Sequence, residues 1–463
     1  MGLIIAGERS GVGKTTITLA LLAFLARKGA KVQSFKVGPD YIDPMFHTAI
    51  AGRNCRNLDP VLTSETYVQT CYQRHSQGVD YVLVEGVMGL FDGIPRPDCP
   101  DFASTAHIAR LLKLPVLLVI DCARLSGSVA AIAQGYRTLD PRVKLLGVIL
   151  NKVGSDRHLH LLKTALETIN LPIFGVLHRH TDLTIPQRHL GLVPSEELPA
   201  LTQLFDRLAH LAAQSLDWPS LLPHLLPPPI SPSPPLPVSP SPPLPVSPSP
   251  PLRLAIARDR AFNFYYADTL DCLQTLGAEL IYWSPLKDER LPDHIQGLFL
   301  GGGFPEIFAE TLSENLPLRE QLKKLIHQGL PTYAECGGLM YLCETLTDFA
   351  GNNWPLVGIL PTQTVMTSKL TLGYRHATVI APSPLVTAST QLWGHEFHHS
   401  HLTHPPITPL FTLQGSLPQD PQTKEGWSSS NLHASYLHLH FGDKPHLLQK
   451  FLQICLAFSQ NLR

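Results

Sequence analysis

No two cysteines of this 463-residue chain stand in a CxxC spacing, and its eight cysteines are scattered from Cys55 to Cys455. That argues against a zinc knuckle and against a disulfide framework. Apolar runs long enough to span a bilayer are also missing, so no membrane is expected as a partner. Charge of one sign is not in excess: 36 Lys and Arg against 37 Asp and Glu leave a formal net charge of −1. Without a block of like charges there is no footprint for nucleic acid, and the substrate must be recognised locally, by a site. Met1 leads directly into the first strand pattern, from which we expect no targeting peptide and a cytoplasmic protein.

Proline, by contrast, is abundant, with 43 residues. The run Ser-Pro-Ser-Pro-Pro-Leu-Pro-Val from Ser231 to Val238 repeats from Ser239 to Val246, and a third copy starting at Ser247 breaks at Arg253. Proline this dense cannot form helix or sheet ladders and prefers an extended, semi-rigid conformation, so it reads as a spacer; a ligand for a proline-reading domain is the alternative. The expected organisation is residues 1–225, a spacer at 226–252, and residues 253–463.

At the N-terminus, Leu3-Ile4-Ile5-Ala6 reads as a buried strand and Thr15–Ala26 as a helix. The glycines of Gly7-Glu8-Arg9-Ser10-Gly11-Val12-Gly13-Lys14-Thr15-Thr16 therefore sit at a strand-to-helix turn, where a phosphate binds. The backbone around Gly11 and Gly13 converges on the anion, Lys14 reaches the terminal phosphates, and Thr15, beside Thr16, can hold Mg2+. The spacing is not the usual one, because the position where GxxxxGK[ST] needs glycine is Glu8, and the nearest glycine is Gly7. Lys31–Val37 reads as a strand delivering a rigid Lys36-Val-Gly-Pro-Asp40-Tyr-Ile-Asp43-Pro loop into the nucleotide crevice. Asp40 and Asp43 there can bind Mg2+ or orient a nucleophile, or simply cap a turn. Tyr81–Gly86 is an apolar strand ending in Glu85, the place of the second metal-binding acid in P-loop proteins, and Asp92 follows on a glycine-flanked loop. Leu114–Asp121 and Lys144–Asn151 complete a β-α alternation, with Asn151 similar to a base-reading Asn.

These stretches, with Gly52-Arg53, Arg56-Asn57-Leu58-Asp59 and Glu85-Gly-Val-Met-Gly-Leu-Phe-Asp92-Gly93, resemble the cobyrinate a,c-diamide synthase family, whose nucleotide domain is similar to dethiobiotin synthetase. The resemblance covers most of residues 1–200. It implies that Asp40, Asp43, Glu85 and Asp92 serve ATP, Mg2+ and the activation of a carboxylate.

Past the spacer, Gly297–Leu300 runs into Gly301-Gly302-Gly303, where backbone N–H groups can approach a ligand as an oxyanion site requires. Pro331-Thr-Tyr-Ala-Glu-Cys336-Gly337-Gly338 is a short strand feeding a helix with cysteine at the corner, the thiol version of a nucleophile elbow. Among 22 histidines the best placed base is His438, in Ser435-Tyr-Leu-His-Leu-His440-Phe. Residues 253–441, including Gly373-Tyr374-Arg375 and Gly394-His395-Glu396-Phe397-His398, resemble the class I glutamine amidotransferase domain of the cobyrinate and cobyrate synthases. The resemblance implies Cys336 as nucleophile, His438 as base, and amides near Gly302, Gly303 and Gly337 as the oxyanion hole. Most class I domains place Glu two residues after the histidine; His440 stands there, so the orienting carboxylate is missing or comes from elsewhere, and a Cys-His pair is expected without a third member. A metal held by His395, His398, His399 and His401 is not favoured.

The expected fold is α/β: two doubly wound domains, an N-terminal P-loop NTPase and a C-terminal flavodoxin-like amidotransferase. The implied activity is ATP- and glutamine-dependent amidation of the a and c carboxylates of cobyrinic acid, with ammonia shielded from water between two reactions. Nickel sirohydrochlorin or hydrogenobyrinic acid is the alternative substrate. A non-enzymatic partition-ATPase-like switch is a third reading, opposed by the Cys336 elbow. Cobyrinic acid and L-glutamine are the expected partners, nucleic acid is not one, and a homodimer is an assembly left open.

Overall fold

The computed structural model describes residues 2–179, 198–229, 252–417 and 419–461. The proline repeats from Ser231 to Val246 lie outside them. Two compact units are formed, one from residues 2–60, 64–179 and 198–229, the other from 61–63, 252–417 and 419–461. Among the described residues no helix is long and apolar enough to cross a membrane.

The first unit is a seven-stranded parallel sheet made of β1 (Leu3–Gly7), β2 (Val32–Val37), β3 (Arg56–Leu58), β4 (Tyr81–Glu85), β5 (Val116–Asp121), β6 (Leu145–Val153) and β7 (Ile173–His178). Near-continuous apolar runs such as Val116-Leu-Leu-Val-Ile are what a strand covered by helices on both faces requires. Ile4, Phe35, Val84, Leu118 and Leu150 are fully buried in its core. The order β3-β2-β4-β1-β5-β6-β7 turns outward in both directions from β1. The crevice at a switch point of that kind lies beyond the carboxyl ends of the strands, and there the phosphate loop, the end of β2 and Glu85 all emerge.

The second unit holds a parallel sheet of β8 (Leu252–Ala257), β9 (Ala278–Trp283), β10 (Gly297–Leu300), β11 (Thr332–Glu335) and β19 (Leu432–Ser435), edged by the antiparallel β18 (Trp427–Ser428). The order β18-β19-β11-β10-β8-β9 puts β11, which carries the cysteine, in the interior. A second, largely antiparallel sheet was not foreseen. It contains β12 (Cys343–Thr347), β13 (Asn353–Pro355), β14 (Leu360–Val379), β15 (Gln391–Leu402), β16 (Phe411–Gln414) and β17 (Thr423–Glu425). β14 and β15 pair along most of their length.

Candidate active sites

In the first unit the chain leaves β1 into a loop whose shape is pinned from outside. Leu90 N–H donates to Gly7 O at 2.9 Å and the Tyr136 hydroxyl to Glu8 O at 2.5 Å. Gly13, at φ 101°, caps the helix Lys14–Arg27 in a left-handed conformation. A Cβ on it would come within 2.3 Å of Asn151 Nδ2, so glycine is required by both backbone and space. Lys14 turns back over the loop, its ammonium donating to Arg9 O at 3.2 Å and Met88 O at 2.5 Å. Burial, and then the nearby Lys36 charge, pull Lys14 down to about 8. Gly11 lies on the same loop at φ 76°, and Thr16 follows Thr15 on the first helical turn.

The Thr15 hydroxyl donates to Glu85 Oε1 at 2.7 Å and lies 3.2 Å from Asp43 Oδ2. Between these carboxylates sits the Lys36 ammonium, 2.6 Å from Asp43, 2.8 Å from Glu85 and 3.6 Å from Asp40. Burial opposes a charge on Lys36, but the facing carboxylates hold it well above the usual lysine value. Burial likewise works against ionised Glu85, and Lys36 and His47 outweigh it, leaving the carboxyl well below its ordinary value. His47 Nε2 is 2.7 Å from Glu85 Oε2, and its Nδ1 is 3.4 Å from Cys55 Sγ. A hydroxyl and two carboxylates gathered around one cation form a hard, all-oxygen donor set, which fits Mg2+ with the lysine ammonium as stand-in.

The other residues expected here are placed differently. Asp40 uses Oδ1 to accept from the N–H groups of Ile42 and Asp43 at 2.8 and 3.2 Å, the turn-capping role, and meets the cluster only through its other oxygen. Asp92 Oδ2 accepts from Gly89 N–H at 2.8 Å, bracing its own loop near Lys14. Asn151, expected to read a base, has both ends of its amide engaged: Nδ2 donates to Val12 O at 2.8 Å and Oδ1 accepts from Lys152 N–H at 2.9 Å. These two bonds tie the side chain to the phosphate loop and leave a second Nδ2 hydrogen and a second Oδ1 lone pair, with which a base-reading role is compatible.

In the second unit β11 ends at Glu335, and Cys336 turns the chain at φ 49°, ψ −101° into the helix Gly337–Leu342. Positive φ on a residue with a Cβ is strained, and a sharp strand-to-helix corner of this kind holds a nucleophile out of its own backbone. His438 lies three residues past β19, fixed by reciprocal backbone bonds with His395 at 2.8 and 3.1 Å. A Cβ on Gly302 would stand 2.7 Å from His438 Cε1, and one on Gly337 would stand 3.0 Å from Gly303 N. The three glycines expected to form an oxyanion site therefore cluster around the cysteine corner and the imidazole.

The expectation that the Cys-His pair lacks a third member is corrected. Glu335, the residue before the nucleophile, places Oε1 2.8 Å from His438 Nδ1. Its Oε2 accepts from Leu439 N–H at 3.0 Å and from the Tyr333 hydroxyl at 2.5 Å. Burial alone would lower His438, but the facing Cys336 and Glu335 push it up to about 10. His440 instead packs against Tyr266, ring centroids 4.5 Å apart and planes tilted by 43°. The four histidines from 395 to 401 do not converge either: His395 stacks on His438, His398 on Tyr436, and His399 meets Phe349 edge-on. Sequence reasoning passed over Lys36, His47 and Glu335, although each is an ionisable side chain next to a motif residue in a buried stretch.

Residues 3–193 match the CobQ/CobB/MinD/ParA nucleotide binding domain, and residues 253–446 match the CobB/CobQ-like glutamine amidotransferase domain. The chain is 59% identical to a cobyrinate a,c-diamide synthase of Synechocystis sp., over 100% of this chain and 95% of that one. It is 57% identical to one of Synechococcus sp., over 98% of each. A hydrogenobyrinate a,c-diamide synthase of Streptomyces coelicolor is 40% identical over 98% of this chain and 97% of its own.

Proposed function

The chain belongs to the cobyrinate a,c-diamide synthase family, and from that premise we propose that it amidates the a and c side-chain carboxylates of cobyrinic acid in cobalamin biosynthesis, using ATP and L-glutamine. One observation carries the reading: a single chain holds both a cysteine at a strained elbow backed by His438 and Glu335, and a phosphate loop with Lys14 and Thr15 beside buried carboxylates. We place the synthetase in residues 1–225, the spacer at 226–252 and the amidotransferase in 253–463.

In the second unit the Cys336 thiolate attacks the carboxamide carbon of glutamine, and the oxyanion forms against the amides around Gly302, Gly303 and Gly337. His438 gives its proton to the departing nitrogen, the C–N bond breaks, and ammonia leaves a γ-glutamyl thioester. Water that loses a proton to His438 then hydrolyses the thioester, releasing glutamate and restoring the cysteine. Glu335 positions the imidazole. In the first unit a corrinoid carboxylate takes the terminal phosphoryl group of ATP, ADP leaves, and ammonia displaces phosphate from the acyl phosphate to give the amide. Lys14 offsets charge on the transferred group. Thr15, Glu85 and Asp43, with Asp40 at the edge, would hold Mg2+, which when bound supplies charge neutralisation at the phosphate oxygens. Ammonia is protonated in neutral water, so its transfer is sheltered. We assign the reaction to the cytoplasm; sedimentation of the purified protein distinguishes a homodimer from a monomer.

The test is ADP formation by purified protein given cobyrinic acid and either glutamine or an ammonium salt. Cys336→Ala abolishes the glutamine-driven reaction and retains the ammonium-driven one; loss of both refutes the division of labour. The relative named hydrogenobyrinate a,c-diamide synthase, at 40% identity, favours a second substrate reading. Side-by-side assays with cobyrinic acid, hydrogenobyrinic acid and nickel sirohydrochlorin separate the candidates.

A further inference from the structure

The β14–β15 hairpin stands outside the parallel sheet, yet it reaches the nucleophile. Phe397 O lies 3.9 Å from Cys336 Sγ. Side chains alternate along a strand, so Glu396 and His398 flank that carbonyl on the same face. Glu396 is 8% exposed, and its Oε2 accepts from Arg375 Nε on β14 at 2.6 Å. Burial would raise the Glu396 carboxyl, but His398 and Arg375 hold it below its ordinary value, so the group is charged.

The histidine shows what the pair lacks. His398 lies flat on Tyr436, centroids 3.9 Å apart and planes 14° from parallel, and its Nδ1 is 2.9 Å from Ser400 O. A carbonyl can only accept, so Nδ1 carries a proton. Nε2 faces Glu396 Oε1 at 3.5 Å, longer than a strong hydrogen bond, so the carboxylate oxygen keeps room to accept from a cationic donor such as an ammonium group. Beside them, Arg375 spends Nε on Glu396 and Nη1 on Tyr374 O at 3.0 Å. Among the described residues its Nη2 edge makes no hydrogen bond, and the side chain is 20% exposed. A planar guanidinium edge of that kind suits a carboxylate. An ion pair clamping two strands would explain the Arg375–Glu396 bond alone; it would leave the open Nη2 edge of Arg375 without a reason.

We infer that Arg375, Glu396 and His398 form the subsite that reads the α-carboxylate and α-ammonium of glutamine. The inference rests on the reading of Cys336 as a glutaminase nucleophile. The scale is right: two methylenes separate the carboxamide carbon of glutamine from its α-carbon, about 4 Å in extended form, and consecutive Cα atoms along β15 are about 3.8 Å apart. A substrate with its amide on Cys336 thus presents its zwitterionic end to the residues on either side of Phe397.

Three amides test this: L-glutamine, glutaramate, which lacks the α-ammonium, and 4-aminobutanamide, which lacks the α-carboxylate. In Glu396→Gln, KM for L-glutamine rises about 10- to 100-fold, the loss of one charge-assisted hydrogen bond, while the penalty against glutaramate collapses. In Arg375→Gln the penalty against 4-aminobutanamide collapses instead. His398→Phe keeps the stack on Tyr436 and weakens selection for the ammonium only. Equal loss on all three amides in each variant would show a mere structural clamp and overturn the inference. If a variant does not fold, unmodified protein decides: glutamate shields Cys336 from iodoacetamide at concentrations where glutarate and 4-aminobutanoate do not, and equal shielding by all three overturns the subsite. Wild-type protein that releases no ammonia from glutamine points instead to failure of the glutaminase reading itself.

Discussion

Replacing Glu335 by glutamine exchanges one carboxylate oxygen for an NH2 group, and the surroundings dictate which one. Oε2 accepts two hydrogen bonds, from Leu439 N–H at 3.0 Å and Tyr333 O–H at 2.5 Å, so the amide oxygen must stay there. The NH2 then occupies the position of Oε1, 2.8 Å from His438 Nδ1. A donor facing Nδ1 forces that nitrogen to accept, and the imidazole proton moves to Nε2, the nitrogen that should take a proton from sulfur. The same tautomer inversion costs about 10^4 in kcat in the serine–histidine–aspartate enzymes. A thiol is more acidic than a hydroxyl and leans less on its base, so glutaminase kcat falls at least about 10^2-fold and at most about 10^4-fold. Glu335→Ala removes one charge-assisted hydrogen bond, about 1.5–3 kcal/mol or about 10- to 150-fold, without imposing the wrong tautomer. The isosteric change is therefore the more damaging to turnover, the reverse of what volume alone suggests. Glutamate release by both variants, measured beside ammonium-driven ADP formation as a folding control, decides the matter. Glutamine hydrolysis by the Gln variant within threefold of wild type would refute a positioning role for Glu335.

Asn151→Ala removes a neutral hydrogen bond to the phosphate loop, about 0.5–1.5 kcal/mol, so KM for ATP rises about 2- to 12-fold; a change in selectivity for ATP over GTP assigns the side chain a base-reading role, and unchanged selectivity refutes one. Lys36→Met strands Asp43 and Glu85 as buried neighbours, a loss of about 3–5 kcal/mol that lowers the melting temperature by about 6–20 °C, and Mg2+ raises that temperature more in the variant than in wild type. Calorimetry with and without Mg2+ measures both effects, and equal Mg2+ responses would remove the oxygen cluster as a cation site. Burial, against bonds from Ser435 and Tyr436, pushes the Glu425 carboxyl from 4.5 to about 8. The folded state then holds a proton that the unfolded chain has lost, so this group's contribution falls as pH rises between 4.5 and about 8. Glu425→Gln melts with a flatter pH dependence across that window, and an unchanged slope would show that Glu425 is ionised in the folded protein.

What the residues disclosed in advance follows from how local each signal is. The runs Leu3–Ala6 and Tyr81–Gly86 were readable because parallel strands covered on both faces must be apolar throughout, and both form as β1 and β4. The antiparallel sheet was missed because Leu360–Val379 mixes buried and exposed positions without a clean alternation and shifts register between Met366 and Thr371. In the sites, glycine spacing marked both loops, since backbone approach to a ligand leaves a trace in sequence. Partnerships across strands leave none: Lys36 meets Glu85 because β2 pairs with β4 in the register Lys36↔Glu85. Glu335 makes the same point at closest range. The place two residues beyond the histidine, where an orienting acid was sought, holds His440, and Glu335 sits beside the nucleophile on β11. Register supplies the missing link, because β11 and β19 pair Glu335 with Ser435, three residues before His438. An acid on either strand can reach Nδ1 from there. The requirement is a carboxylate at that atom, and its position in the chain is free to move to whichever strand end lies closest.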